Sequence, residues 1–190
     1  MRRKLISATA ALACLCATAS HAQDASQWTG FYAGLTAAKG SADQEYSTVN
    51  TFELEGNGPG LFVGYNYATG AWVLGGELAY SQVAIGQTNG KPYKFESFFD
   101  LKGRAGYATG NALFYGTLGA TVTDWRETVP GYHGDGLLYG IGIDYLISPK
   151  FVVGAEYTVR NVTSDWNTST PPDTFDADVR VFALRAAYKF

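Results

Sequence analysis

The sequence predicts an all-β fold, an eight-stranded antiparallel up-and-down β-barrel, and three observations support this prediction. Aromatic residues make up 15% of the 190 residues and charged residues only 16%, against about 25% charged in an ordinary soluble domain. Apolar and polar residues alternate with a period of two through most of the chain, which is typical of strands with two different faces. Short and long connecting segments follow one another in alternation along the chain, as in bacterial outer-membrane barrels.

The composition also excludes several classes of protein. The mean hydropathy of −0.07 is too low for a bundle of membrane-spanning helices. The aromatic content excludes long disorder, which goes with few aromatics and high net charge. The net charge of −3 and the pI near 5.3 argue against a nucleic-acid partner, which needs a basic stripe.

Residues 1–22 are predicted to be a secretory signal peptide. Basic residues at 2–4 precede an apolar stretch at 5–18, which is shorter than the roughly 20 residues that span a bilayer as a helix. Small residues Ser20 and Ala22 occupy positions −3 and −1 of a cleavage site.

Cleavage after Ala22 would leave Gln23 as the first residue and 23–190 as one barrel domain. Both cysteines, Cys14 and Cys16, fall in the removed segment; a lipid-attachment site at either is a weaker alternative, because neither follows the usual leucine-plus-small-residue pattern. The exported chain then has no disulfide and no thiolate metal ligand, so a full core or a closed hydrogen-bonded barrel must stabilise it.

The first four predicted strands cover residues 31–38, 61–67, 72–81 and 99–107. In the first two, aromatic and aliphatic residues alternate with glycine and small polar residues. The third places Glu77 on the face opposite its apolar residues. The fourth separates its faces most sharply, because its apolar residues alternate with Asp100, Lys102 and Arg104.

The last four predicted strands cover residues 114–123, 137–145, 153–160 and 182–190. The fifth alternates large apolar residues with threonine and glycine. On the less apolar face, the sixth strand carries Asp144, the seventh Glu156 and Arg160, and the eighth Arg185. With a flanking residue or two, every predicted strand approaches the roughly 9–11 residues of a tilted membrane-crossing strand.

The predicted connections fall into two classes. Short turns are expected at about 68–71, 108–111 and 146–150, and longer polar loops at about 40–57, 84–95, 124–135 and 163–177. In outer-membrane barrels the short turns face the periplasm and the long loops the cell exterior. An even number of strands then places both termini on the periplasmic side.

The aromatic residues decide which face points outward. One set lies near the short turns: Trp28, Phe31, Tyr65, Tyr67, Trp72, Tyr107, Phe114, Tyr145, Phe151 and Tyr188. A second set lies near the long loops: Tyr80, Phe99, Trp125, Tyr157 and Phe182. Two such girdles favour a transmembrane barrel in the cell outer membrane over a soluble calyx of the lipocalin kind.

Charged residues on the predicted inner face suggest a closed lumen. They are the acids Glu77, Asp100, Asp144 and Glu156 and the bases Lys102, Arg104, Arg160 and Arg185. Eight strands enclose a space only just wide enough for side chains, and opposite charges on neighbouring strands attract. We expect these groups to pair and plug the lumen against solutes as large as sugars. The sequence does not decide whether small ions pass briefly when a pair exchanges partners.

Four short segments carry a resemblance to a known family. They are residues 28–34 (WTGFYAG), 103–107 (GRAGY), 154–157 (GAEY) and 188–190 (YKF). With these, the chain resembles the small OmpA-like outer-membrane β-barrel family of Gram-negative bacteria, in particular the porin-like, immunogenic outer-membrane proteins of alphaproteobacteria. The resemblance implies that Phe190 is a terminal aromatic recognised by the outer-membrane assembly machinery. Phe182, Leu184 and Tyr188 share its face.

The expected function is that of a structural surface protein or a narrow porin-like pore. A recognition protein or adhesin is the alternative, with Tyr46, Tyr93, Tyr132 and Trp166 as aromatic anchors in the loops. The oligomeric state and any ligand stay open.

An outer-membrane hydrolase is a third, weaker hypothesis. Its catalysis would have to pass through His133, the one histidine of residues 23–190, and only Asp135 is placed to orient it. No phosphate-binding or dinucleotide-binding motif occurs. We therefore expect no enzymatic activity, no cofactor and no transition-metal site.

Acidic residues dominate the predicted long loops. They are Asp43, Glu45, Glu53, Glu55, Asp124, Glu127, Asp135, Asp165, Asp173, Asp176 and Asp178. The simpler interpretation is that they solvate the loops. The alternative is that they join the divalent-cation layer of lipopolysaccharide, because carboxylates suit Ca²⁺ and Mg²⁺. We favour the simpler interpretation. Independently of the acidic residues, a barrel in the outer membrane is expected to have outer-membrane lipid and lipopolysaccharide as partners.

Overall fold

A computed structural model describes residues 25–45, 51–83, 85–86, 94–126, 132–166 and 173–190. Its strands are β1 (Gly30–Glu45), β2 (Thr51–Thr69), β3 (Trp72–Ser81), β4 (Ile85–Gly86), β5 (Lys94–Thr109), β6 (Ala112–Arg126), β7 (Tyr132–Ser148), β8 (Phe151–Trp166) and β9 (Asp173–Lys189). One 3₁₀ turn, Ala25–Trp28, precedes β1. Within these ranges, no helix has the length and apolar character to cross a membrane.

The strands form one closed antiparallel barrel. Each long strand pairs with the next along the chain, and β1 also pairs with β9, from Tyr32 opposite Lys189 to Asp43 opposite Asp178. The two residues of β4 lie between β2 and β5, the same position that β3 occupies. The strands therefore fill eight positions around the barrel, which confirms the predicted eight-stranded up-and-down fold.

Short turns join the strands at one end of the barrel. Gly70 and Gly110 have positive φ angles of 58° and 57°, in tight turns between β2 and β3 and between β5 and β6. Glycine adopts this left-handed conformation without the steric cost that a Cβ atom brings. These turns and the one between β7 and β8 lie where the sequence predicts them.

At the opposite end the strands are longer than predicted. The expected loop at 40–57 is largely β1 and β2, which stay paired to Glu45 and Thr51, and the loop at 163–177 is largely β8 and β9. Polar residues hide the alternation there, but the backbone pairing continues through them. Cross-strand polar contacts such as Lys39 with Glu55, at 3.3 Å, accompany it.

The two faces of the barrel wall differ sharply. Leu35 and Ile141 point outward and leave 67% and 69% of their surface exposed, whereas inward neighbours such as Val73 and Leu138 are buried. An apolar outer band over a filled interior is the arrangement that a lipid environment requires.

Trp28 departs from the sequence-based prediction. The sequence predicts it in the outer aromatic girdle, but it is only 2% exposed and packs inside the mouth at the short-turn end. The 3₁₀ turn holds it there, since the Ala25 backbone N–H donates to Gly70 O (3.1 Å) and Gln27 Nε2 donates to Gly110 O (2.8 Å).

Candidate functional site

The barrel interior is the candidate functional site, and its two ends are apolar. At the short-turn end Trp28 covers a cluster that includes Val73, Leu113 and Leu146. At the long-hairpin end the buried apolar residues include Phe98, Leu138, Val162, Val179 and Val181. The charged groups lie between these two apolar ends.

The structure brings all eight charged residues named from the sequence into this middle zone. Each of Glu77, Asp100, Lys102, Arg104, Asp144, Glu156, Arg160 and Arg185 is at most 6% exposed. Isolated charges buried to this degree cost several kcal/mol each. Their partners therefore decide whether the interior is stable.

Glu77 on β3 is the centre of the larger ionic group. Its carboxylate accepts from Arg185 Nη2 at 2.5 Å and contacts Lys102 Nζ at 2.7 Å and Arg104 Nη1 at 3.5 Å. The Tyr32 hydroxyl donates to Glu77 Oε2 at 3.0 Å. One carboxylate thus contacts cations from two sides of the barrel, β5 and β9.

Two further acids balance these cations. Glu156 accepts from Lys102 Nζ at 2.7 Å and from Arg185 Nη1 at 2.9 Å, and Tyr115 OH donates to it at 3.1 Å. Asp144 accepts from Arg104 Nη2 at 2.6 Å. The group contains three carboxylates and three cations, so its formal charge is zero. We call these six residues, with Glu77 at the centre, the central network.

Asp100 and Arg160 form a separate pair nearer the long hairpins. Arg160 donates twice, from Nε to Asp100 Oδ1 at 3.2 Å and from Nη2 to Oδ2 at 2.7 Å. Thr121 Oγ1 donates to Asp100 at 2.7 Å, and Arg160 Nη1 donates to Thr158 Oγ1 at 2.9 Å. Bidentate arginine–carboxylate geometry of this kind is among the strongest polar contacts in proteins.

The partners differ in part from the expected pairing between neighbouring strands. Glu77 with Lys102 and Glu156 with Arg185 do join neighbours. Asp144 and Arg160 lie on the neighbouring strands β7 and β8, but each pairs with a residue of β5 instead. Lysine and arginine arms are long enough to span so narrow a lumen, so strand adjacency alone does not decide the partner.

Aromatic rings that the sequence analysis did not identify as site residues support the guanidinium groups. Arg104 lies 3.8 Å from the centre of the Tyr115 ring, and Arg185 lies 4.0 Å from that of Phe62. Cation–π contacts strengthen when they are desolvated.

A sequence signal for these rings exists once the register is known. Tyr32, Phe62 and Tyr115 each face a glycine on the next strand, respectively Gly64, Gly34 and Gly142. A Cβ atom at any of the three glycines would overlap the facing ring. The glycines therefore make room for rings that lie flat against the inner wall.

Little space is left around the network. A cavity of about 10 Å³ lies on its short-turn side and one of about 30 Å³ on its long-hairpin side. A single water needs about 10–15 Å³, so these spaces have room for one or two waters but not for a sugar. Over the part of the chain that the structure describes, no His, Cys, Asp and Glu cluster suits a metal ion.

The predicted assembly residues lie on the outer surface at the β9 end. Phe182, Leu184 and Phe190 are exposed, and the Tyr188 ring packs edge-on against Phe190 at 5.2 Å. The Phe190 N–H donates to Phe31 O at 3.0 Å, which extends the β1–β9 closure.

Other predicted residues fall partly or wholly outside the described residues. Ala22, Gln23, Tyr46 and Tyr93 are outside them. For His133, Tyr132 and Trp166 only the backbone is described, and His133 lies within β7 opposite Asp124. The expected loop position of His133 is therefore wrong, because β7 begins earlier than the alternation indicates.

Comparisons with known proteins agree with this architecture. A model of the outer membrane protein beta-barrel domain matches residues 9–190. Among solved structures, Neisserial surface protein A is 15% identical with a TM-score of 0.59, and the match covers 85% of this chain and 98% of that one. Ail, the attachment invasion locus protein of Yersinia pestis, is 17% identical with a TM-score of 0.52, and the match covers 85% of this chain and 99% of that one.

A third similar structure is OprG from Pseudomonas aeruginosa, at 15% identity and a TM-score of 0.50, over 85% of this chain and 96% of that one. No curated protein sequence matches the chain significantly. Identities this low establish the shared fold alone.

Proposed function

This chain belongs to the outer membrane protein beta-barrel family, and on that basis we propose that it is a non-enzymatic structural protein of the outer-membrane surface. Its barrel is closed to solutes by the charges inside it.

The observation that carries this proposal is the contact of three cations with the Glu77 carboxylate in the middle of the lumen. To open a path, at least one arm must leave a buried partner without compensation, which costs about 3–5 kcal/mol. The closed arrangement therefore dominates. If a charged side chain briefly exchanges one partner for another, small ions could pass, and the protein would then act as a narrow pore within the same proposal.

The orientation of the barrel is part of the proposal. The Ala25–Trp28 turn and Phe190 both lie at the short-turn end. In outer-membrane barrels this end faces the periplasm, so the long hairpins would face the cell exterior.

The narrower kinship with small OmpA-like, porin-like proteins of alphaproteobacteria is also proposed here. All four segments that carry this resemblance place a residue on the inner side of the barrel: Trp28, Arg104, Glu156 and Lys189. The segments therefore contribute residues to the closed lumen as well as to the strands.

Planar-bilayer recording of the refolded protein tests the closed lumen. We expect no large, steady conductance from the unmodified protein and brief small-ion openings at most. Arg104→Ala, which removes one arm of the central network, should increase the frequency of openings. Lys39→Ala, on the exposed Lys39–Glu55 pair, should not.

A large, steady conductance of the unmodified protein, little changed by Arg104→Ala, would mean that the charges line a channel. Folded barrel in each sample is verified by a gel run with and without boiling, because a closed barrel and its unfolded chain migrate differently.

One observation favours recognition as a second candidate function. The strands continue beyond the apolar band, and there polar pairs point outward, Lys39 with Glu55 and Asn161 with Asp178. Replacing residues 46–50 and 167–172 with short glycine–serine turns tests it. A recognition protein would lose binding to host cells while the barrel stays folded, whereas a structural protein would show no binding to lose.

Catalysis at His133 is the weakest alternative. We expect His133→Ala to leave envelope integrity and any lipid or protein hydrolysis by the purified barrel unchanged. Loss of a measurable hydrolytic activity in this variant would contradict the non-enzymatic proposal.

A further inference from the structure

Unpaired polar atoms gather on one side of the central network. Among the described residues, the buried side-chain atoms without a hydrogen-bond partner are Trp28 Nε1, Asn66 Oδ1, Arg104 Nε, Asp144 Oδ1 and Arg185 Nε. All five residues line the same cavity of about 10 Å³, and all are more than nine-tenths buried. An unsatisfied buried polar atom costs about 1–3 kcal/mol. Five around one cavity therefore call for a shared partner.

One distance indicates what this partner is. Arg185 Nε and Asp144 Oδ1 are 3.7 Å apart, which is too far for a direct hydrogen bond. A water beside the two atoms, about 2.8 Å from each, can hydrogen-bond to both in a bent geometry. The cavity volume is close to that of one water.

We infer that this cavity is a hydration site for one water molecule, enclosed at the short-turn end by the indole of Trp28. The residues that line it carry three unpartnered donors, on Trp28, Arg104 and Arg185, and two unpartnered acceptors, on Asn66 and Asp144. Water is the small molecule that uses both kinds of group, and with 2–4 hydrogen bonds one water can serve the two acceptors and up to two of the three donors.

The local charges disfavour an ion. An anion in the cavity would face the Asp144 carboxylate, and a cation would face the guanidinium groups of Arg104 and Arg185. Those guanidinium groups are already compensated by Asp144 and Glu77. Lys189 also lines the cavity, but its ammonium donates to Thr29 O at 3.3 Å. A neutral ligand therefore fits best.

The inference goes beyond the proposed function, because the presence of the hydration site does not depend on whether the barrel conducts ions. It adds a role for the N-terminal turn. Trp28 would separate the network's water from the bulk solvent at this mouth, so that the water exchanges slowly.

Two measurements test the site. A high-resolution crystal structure of the unmodified protein, with a parallel bromide soak, should show one water within hydrogen-bond distance of Asp144 Oδ1 and Arg185 Nε. Oxygen-17 relaxation dispersion counts long-lived waters. We expect Trp28→Ala to lose one such water relative to the unmodified protein, and Trp72→Ala, on the outer face, to lose none.

Absence of density in the cavity, bromide bound there, or an unchanged count of long-lived waters in a folded Trp28→Ala barrel would each overturn the inference. If Trp28→Ala does not fold, the crystal structure of the unmodified protein decides. Neither measurement depends on conductance, so failure here leaves the closed-barrel proposal to its own test.

Discussion

Arg185 Nη2 donates a hydrogen bond to Glu77 Oε2 at 2.5 Å, although 108 residues separate them along the chain. Glu77 lies on β3 and Arg185 on β9, and β1 and β2 stand between these strands around the wall. The arm of Arg185 passes over the Phe62 ring of β2 on its way. The pair therefore joins separated parts of the wall through the lumen, and its loss should affect the whole barrel.

Replacing Glu77 with glutamine should destabilise the barrel strongly. Three buried cations would lose their shared anion, and breaking a buried pair by removing one partner costs about 3–5 kcal/mol. Urea unfolding in lipid vesicles measures the change in the free energy of unfolding. Glu55→Gln is the matched control, because its pair with Lys39 is largely exposed and such pairs contribute about 0–1 kcal/mol. Similar losses in the two variants would contradict a central role for Glu77.

Asp100 and Arg160 should be energetically coupled. Each single change, Asp100→Leu or Arg160→Leu, leaves a buried charge alone and should cost about 3–5 kcal/mol. The double variant removes both charges, so it should be less destabilised than the sum of the single variants by at least about 1 kcal/mol. A double-mutant cycle from urea unfolding gives this coupling. Additive losses would show that the bidentate pair does not act as a unit.

The alternation in the sequence predicts the face of each of the eight lumen charges but not its partner. A period of two places Asp144 and Arg160 inside, because a shift of one residue would move every side chain of the strand to the opposite face. Their partners depend on the closure of the barrel and on the reach of the side chains, so Arg104 and Asp100 could not be chosen from the local pattern.

The position of Trp28 was not predictable for a related reason. Because it is close to Phe31 and Tyr32 in sequence, it is predicted to belong to the aromatic residues at the start of the first strand. It turns inward because carbonyl groups at Gly70 and Gly110, distant in sequence, accept hydrogen bonds from the turn that carries it. Such tertiary contacts leave no periodic signal.

Two glycines of the wall should respond differently to an added methyl group. A Cβ atom at Gly119 would come within 2.9 Å of the backbone Cα of Lys102, whereas one at Gly76 would meet no atom within 4 Å. Backbone cannot move aside without parting β5 from β6. We expect Gly119→Ala to lower the free energy of unfolding by about 1–3 kcal/mol and Gly76→Ala to change it little. Equal stability of the two variants, measured in the same vesicles, would argue against the close β5–β6 packing.

Phe190 should matter more for assembly in the cell than for the stability of the finished barrel. In the folded protein it contributes one hydrogen bond, to Phe31 O, and one edge-on ring contact with Tyr188. Together these are worth about 1–2 kcal/mol. If the assembly machinery recognises this residue, deletion should reduce the folded outer-membrane yield severalfold. Refolding into vesicles, where no machinery is present, should be affected only slightly.

Lys189→Ala is the control at the neighbouring position, since its ammonium points inward to Thr29 O. Phe190→Tyr, which keeps an aromatic ring, should restore the yield. The folded fraction in membranes is read from the gel with and without boiling. Equal yields for the deletion and for Lys189→Ala would remove the assembly role. An equal fall in cells and in vesicles would reassign Phe190 to closure of β1 on β9, because the defect would then lie in the barrel itself.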